Sequence, residues 1–204
     1  MNLLFFDTET TGLWNKRMAC GHQDQPRIVQ IAAILQDSET RAELMRMDMI
    51  VYRDQPIPLA SSNVHGTTTA VSRAIGLTEG PVLDVFCDMV AVADVVVAHN
   101  IEFDVNIINN AARLLSGNSS LDVFQGKNQF CTMQTGIPIC KFPNKNGYQG
   151  YAWPKLEDAV RKLLHREPTS AHQAIGDVID CRDLFWFIQD HLAAERAAKA
   201  EAAA

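Results

Sequence analysis

The chain has 204 residues, 47% hydrophobic and 21% charged, enough for one globular domain with a full core. Eighteen Lys and Arg against twenty-four Asp and Glu leave a net charge of −6. That balance excludes coating duplex nucleic acid through bulk positive charge, yet it suits a site where carboxylates gather cations. Five cysteines, an odd number with no close CxxC pair, speak against a disulfide framework or zinc ribbon and fit a reduced setting. The opening MNLLFFDTETTG carries no basic leader, and no run approaches the roughly 18 apolar residues of a membrane span. The expectation is a cytoplasmic protein without membrane contact.

Leu3 to Phe6 is a short unbroken apolar run, the mark of a buried strand. Ile28 to Leu35 and Leu44 to Tyr52 read as two further strands, with a turn at Asp37-Ser38-Glu39 between them, hence an antiparallel meander. Helical spacing follows over Thr67 to Ile75 and over Pro81 to Ala93, with Pro81 where a first turn accepts proline. Val95 to Ala98 returns as a buried strand, and a helix runs from about Glu102 to Leu115. Asn128 to Thr132 is a fifth, weaker strand, and Leu156 to Leu164 and Ala171 to Leu192 are helices. Hairpins followed by alternating strands and helices imply an α/β architecture with a mixed sheet flanked by helices. The alanine-rich end is strongly helix-forming but lacks an apolar stripe, and is expected as a frayed helical tail over 194–204 that continues the last helix, leaving 1–193 as the domain.

Three segments carry candidate chemistry. Asp7 and Glu9 are spaced i, i+2 at the first strand, which puts both carboxylates on one face with roughly 6.6 Å between attachment points. Such a pair can share a hard cation, although a polar strand end gives the same pattern. Ala98-His99-Asn100-Ile101-Glu102-Phe103-Asp104 follows the VVV strand and puts Asp104 in a first helical turn, where negative charge is favoured. In Thr169 to Asp177, Ser170 and Gln173 fit a capping box. His172 is therefore expected in the first turn of a helix whose positive end keeps its imidazole neutral. Asp177 lies in a run otherwise apolar on one side. No phosphate loop, nucleophile elbow, HExxH or GxGxxG competes with these segments.

Taken in order, FDTETTGL, AHNIEFD and HQAIGD resemble the three motifs of the DEDDh exonucleases, the proofreading-subunit-like (DnaQ-like) branch of the ribonuclease-H-like superfamily. The matched positions are Asp7, Glu9, Asp104, His172 and Asp177, over a span from Leu3 to about Leu184. Val64-His65-Gly66-Thr67-Thr68 resembles that family's histidine-glycine turn. Ile101 and Gly176 depart from its pattern without touching a catalytic side chain. The resemblance implies a five-stranded ribonuclease-H-like sheet and 3′-to-5′ removal of nucleoside monophosphates from single-stranded DNA ends, or RNA ends. A polymerase-docking subunit and a silent nucleic-acid-binding module are the other readings.

Cleaving a phosphodiester by two cations about 4 Å apart requires converging carboxylates. Asp7, Glu9, Asp104 and Asp177 would supply them, Asp7 bridging, and oxygen-only donors favour Mg²⁺ or Mn²⁺. His172 would take a proton from the attacking water. Thr11, Leu13, His65 and Asn100 are expected around the terminal nucleotide. Lys127 to Arg166 holds seven basic residues against two acidic ones, a net +5 in an acidic chain. Within it, KFPNKNGYQGYAWP interleaves Lys141 and Lys145 with Phe142, Tyr148, Tyr151 and Trp153. Lys141, Lys145 and Tyr148 are therefore expected to hold a single strand, unless the aromatics plug the core beneath the loop.

Overall fold

Leu3 to Phe6 is apolar without interruption because the strand it belongs to is covered on both faces. The computed structural model describes residues 1–144, 149–170 and 172–202. In it this strand is β1 (Asn2–Thr10), the centre of a five-stranded sheet in the order β3-β2-β1-β4-β5. β2 (Ile28–Asp37) and β3 (Glu43–Ile50) form the expected antiparallel meander with it. β4 (Val95–Ala98) pairs parallel to β1, and β5 (Asn128–Cys131) parallel to β4.

Between β3 and β4 lie α1 (Leu59–His65), α2 (Thr69–Ile75) and α3 (Glu79–Val92). α4 (Ile101–Ser116) follows β4, and α5 (Thr132–Cys140) follows β5 directly. α6 (Leu156–Ala159) continues as a π-helical turn, Val160–Leu164, before the long α7 (Ala174–Ala202). No helix among the described residues is long and apolar enough to cross a membrane.

Side chains alternate across β1 with a period of two, and this decides what each face meets. Leu4 and Phe6 enter a core with Phe86 of α3, Ile107 and Ile108 of α4, and Phe124. Leu3 and Phe5 enter a second core with Val178, Cys181 and Phe185 of α7. Phe5 meets Phe185 edge-on at 5.4 Å between ring centroids, and Phe6 stacks on Phe124 at 5.4 Å. The same alternation carried two residues further aims Asp7 and Glu9 at the α7 side.

Several expectations need correction. The helix expected from Thr67 begins at Thr69, because Thr68 is its N-cap and accepts from the Val71 N–H at 3.2 Å. α1 carried no apolar stripe to announce it; only Ser62 and His65 of its seven residues are buried. α5 contains Pro138 and follows a strand without a loop, both contrary to a helical reading.

Candidate active site

Asp7 faces Ala32, a small side chain, of β2 across the ladder. Glu9 follows on the same face of β1, and Asp177 comes down from the first turn of α7. One oxygen from each of Asp7, Glu9 and Asp177 lies within 4.8 Å of the other two. Asp104 reaches the same end of the sheet from the first turn of α4, buried to 2% exposure. Its Oδ1 accepts from Thr8 twice, from the backbone N–H at 3.0 Å and from Oγ1 at 2.7 Å. Thr8, between the two acids, points to the opposite face and so fastens α4 to β1.

The electrostatics are those of a concentrated negative site. Burial, then the charges of Asp104, Asp177 and Glu9, hold Asp7 well above the ordinary carboxylate range. Glu9 rises to about 7 through burial and Asp177. Burial also lifts Asp104 to about 7 against the two Thr8 hydrogen bonds. Asp177 reaches about 7 through burial and the charge of Asp180, with Glu157 of α6 adding to it. No basic side chain offsets these charges among the described residues. An oxygen-only, uncompensated, converging set is the donor chemistry that hard divalent cations require, so these residues fit such ions.

His172 is not placed as expected. The helix begins at Ala174, and Gln173 receives the first helical bond, from Asp177 N–H at 3.0 Å. His172 precedes it with φ 65°, in the left-handed region, with an exposed side chain. Ser170 uses its carbonyl, not its side chain, to accept from Gln173 N–H at 3.1 Å. The capping box fails because Gly176 lets the Ser170 carbonyl settle against the helix, at 2.5 Å from where a Cβ would stand. The imidazole therefore sits at the rim of the site, while the His172 backbone N–H donates to the Asp177 carboxylate.

A cleft of about 420 Å³ opens beside Glu9, lined by Leu13, Val64, His65 and Phe103 among others. Leu13 is 87% exposed, which no core leucine would be. His65 is buried, its Nδ1 accepts from Thr67 N–H at 3.2 Å, and its Nε2 makes no well-formed hydrogen bond. Thr11 lines a different groove, with Arg27 and Arg53, and its Oγ1 accepts from Arg27 N–H at 2.9 Å. Asn100 is exposed with φ 68°, a left-handed position asparagine tolerates, where the chain turns from β4 into α4. Lys141 is exposed at the end of α5. Lys145 and Tyr148 lie outside the described residues.

Of the aromatics of the same loop, Phe142 packs against the core of Cys140, Leu163 and Ile188, but Tyr151 and Trp153 do not plug the core. Trp153 is 67% exposed and Tyr151 45%. Trp153 borders an open groove of about 500 Å³ with Phe142, Pro143, Pro154 and Lys155. Sequence reasoning missed the residue that secures this wall: His99 bonds Thr132 Oγ1 through Nδ1 and the Pro154 carbonyl through Nε2, each at 3.0 Å. Burial pushes the His99 pKa down to about 4, so it stays neutral. Its place inside the second motif, AHNIEFD, was the one available signal.

A family model described as Exonuclease (RNase T) matches residues 4–185. The DNA polymerase III subunit epsilon-like protein of Rhodobacter capsulatus is 35% identical over 120 residues, covering 58% of this chain and 16% of that protein. Exonuclease I of E. coli in complex with a dT13 oligonucleotide superposes with a TM-score of 0.72 at 18% identity, over 97% of this chain and 42% of that one. Exonuclease I of Methylocaldum szegediense gives 0.70 at 17% identity, over 93% and 40%. The chain thus spans less than half the length of these relatives, and the likeness to exonuclease I establishes a shared ribonuclease-H-like fold.

Proposed function

We propose, from the premise that this chain belongs to the exonuclease (RNase T) family and to its DnaQ-like DEDD branch, that it is a metal-dependent 3′-to-5′ exonuclease. It releases nucleoside monophosphates from single-stranded ends, with DNA favoured. The observation that carries this reading is the convergence of Asp7, Glu9 and Asp177 within 4.8 Å, with Asp104 buried beside them. These four carboxylates would hold two Mg²⁺ or Mn²⁺ ions, which when bound stabilise charge on the attacking and leaving oxygens.

The remaining steps belong to the chain's own side chains. His172, at the rim and solvent-facing, takes the proton of the attacking water and passes it out. Leu13, His65 and Phe103 bound the terminal nucleoside in the cleft beside Glu9. Exposed Trp153 and Tyr151, with Lys141, Lys145 and Tyr148, carry the following nucleotides by stacking and by phosphate contact. Residues 1–193 form the catalytic unit, and 194–204 are a tail outside it.

Purified protein with 5′-labelled single strands of matched DNA and RNA tests this. A ladder shortening from the 3′ end in Mg²⁺ or Mn²⁺, faster on DNA and absent with chelator, is expected. Shortening from the 5′ end, or none with either nucleic acid in either metal, would remove the assignment.

A further inference from the structure

We propose that Asp180, Arg166 and Thr169 form a latch that fixes His172 at the rim of the carboxylate cluster, an inference that rests on reading His172 as the base. Non-glycine residues occupy the left-handed region only where their surroundings fix them, and His172 at φ 65° is held from both sides. On the α7 side, the Asp177 carboxylate accepts its backbone N–H. On the other side, Thr169, three residues earlier, is fastened to α7 one turn further on. Thr169 donates from its N–H to Asp180 Oδ2 at 3.0 Å and from its hydroxyl to Oδ1 at 2.7 Å. Arg166 donates to Asp180 Oδ1 and to Asp183 Oδ2, each at 2.7 Å.

The placement of Asp180 is what makes this more than an ion pair. It is fully buried, three residues after Asp177 on the same helix. Thr169, three residues before His172, is thereby referenced to the very helix that supplies a cluster carboxylate. A buried ion pair is a poor way to gain stability, because apolar residues of equal volume do as well or better. What its geometry does supply is a single register for Thr169. The Ser170 carbonyl, pressed against Gly176, leaves that register no room to slide.

Thr169→Val and Asp180→Asn test the latch, the first being nearly isosteric and so safe for folding. Hydrogen exchange at the His172 amide should quicken about tenfold or more in both, reporting release from Asp177. On a single-stranded oligonucleotide, kcat should fall about tenfold while KM moves less than about twofold. In a His172→Ala background the same substitutions should cost less than about twofold in kcat, because the latch acts through that side chain. If His172→Ala retains parental kcat while the latch variants still unprotect the amide, the base assignment falls and the latch stands. Unaltered amide exchange in both variants, or an undiminished kcat loss in the His172→Ala background, overturns the latch.

Discussion

Each of the four carboxylates holds its proton more tightly in the fold than in the unfolded chain, because burial and neighbouring charge both penalise ionisation. A pKa raised on folding stabilises the protein at low pH, and that stabilisation is lost as pH climbs through the folded value. For Glu9, Asp104 and Asp177 the window runs from ordinary values of 4.5 and 3.8 up to about 7. His99 and His65, lowered by burial, act in the opposite sense, but two imidazoles stand against four mutually repelling acids. Cation-free protein should therefore melt lower at about pH 8 than at about pH 5, and Mg²⁺ or Mn²⁺ should restore it. A melting temperature that holds level or rises across that interval in chelator would contradict the repulsion. Asp7→Ala and Asp177→Ala should each abolish hydrolysis and raise the cation-free melting temperature at the higher pH; near-normal turnover by either would sink the cluster as the reaction centre. His172→Ala should lower kcat by about 100-fold. Calorimetry should find its Mn²⁺ binding unchanged, since all four carboxylates remain. Residue types at this scale were legible from three short motifs. The role of Thr8 was not, since a threonine between two acids announces neither its facing nor its partner.

At the scale of elements, the clearest test is Gly176. A glycine inside a helix ordinarily costs about 0.5–1 kcal/mol relative to alanine, so Gly176→Ala in an isolated helix would stabilise. Here the sign should reverse, because the new Cβ would meet the Ser170 carbonyl oxygen at 2.5 Å and Cβ at 2.8 Å, both inflexible. A lower melting temperature together with reduced turnover is expected; a higher one with full activity would show that Ser170 gives way freely. The strands were readable because β1 and β2 are apolar on both faces and β4 is a short apolar run. α1 and α5 were not, being seven and nine residues long, one without a stripe and the other carrying an interior proline. The start of α7 was misread for a related reason. Ser170 and Gln173 satisfy a local capping rule, but the chain follows a tertiary contact three residues deeper into the helix.

At the scale of the whole molecule, the proposed activity requires an acidic protein to hold a polyanion, and within the basic segment Lys141 and Lys145 are the candidates, since Lys127, Arg161 and Arg166 are engaged inside the fold. Trp153→Ala should raise KM for a single-stranded oligonucleotide about tenfold, within the 1–3 kcal/mol of a lost base stack, and leave the salt dependence of binding unaltered. Replacing Lys141 and Lys145 should weaken binding and flatten that dependence, because each lost phosphate contact releases fewer counterions. Adding Tyr148 to that pair should raise KM further, with kcat less affected. Parental binding by the triple variant at every salt concentration would assign the strand to another surface. By itself the sequence determined which acids exist, their order, and their period of two on β1, since these depend on neighbours in the chain. Only the tertiary structure decided that the odd-numbered face of β1 meets α7, that His172 turns left-handed, and that Trp153 faces solvent. The left-handed turn rests on contacts that the folded helix brings against the preceding loop, Ser170 on Gly176 and Thr169 on Asp180, and the assembly of the site rests on segments far apart in the chain, Asp7 with Asp177, Thr8 with Asp104, His99 with Pro154. Local propensity carries no information about such partners, because their energies exist only once the sheet has brought them together.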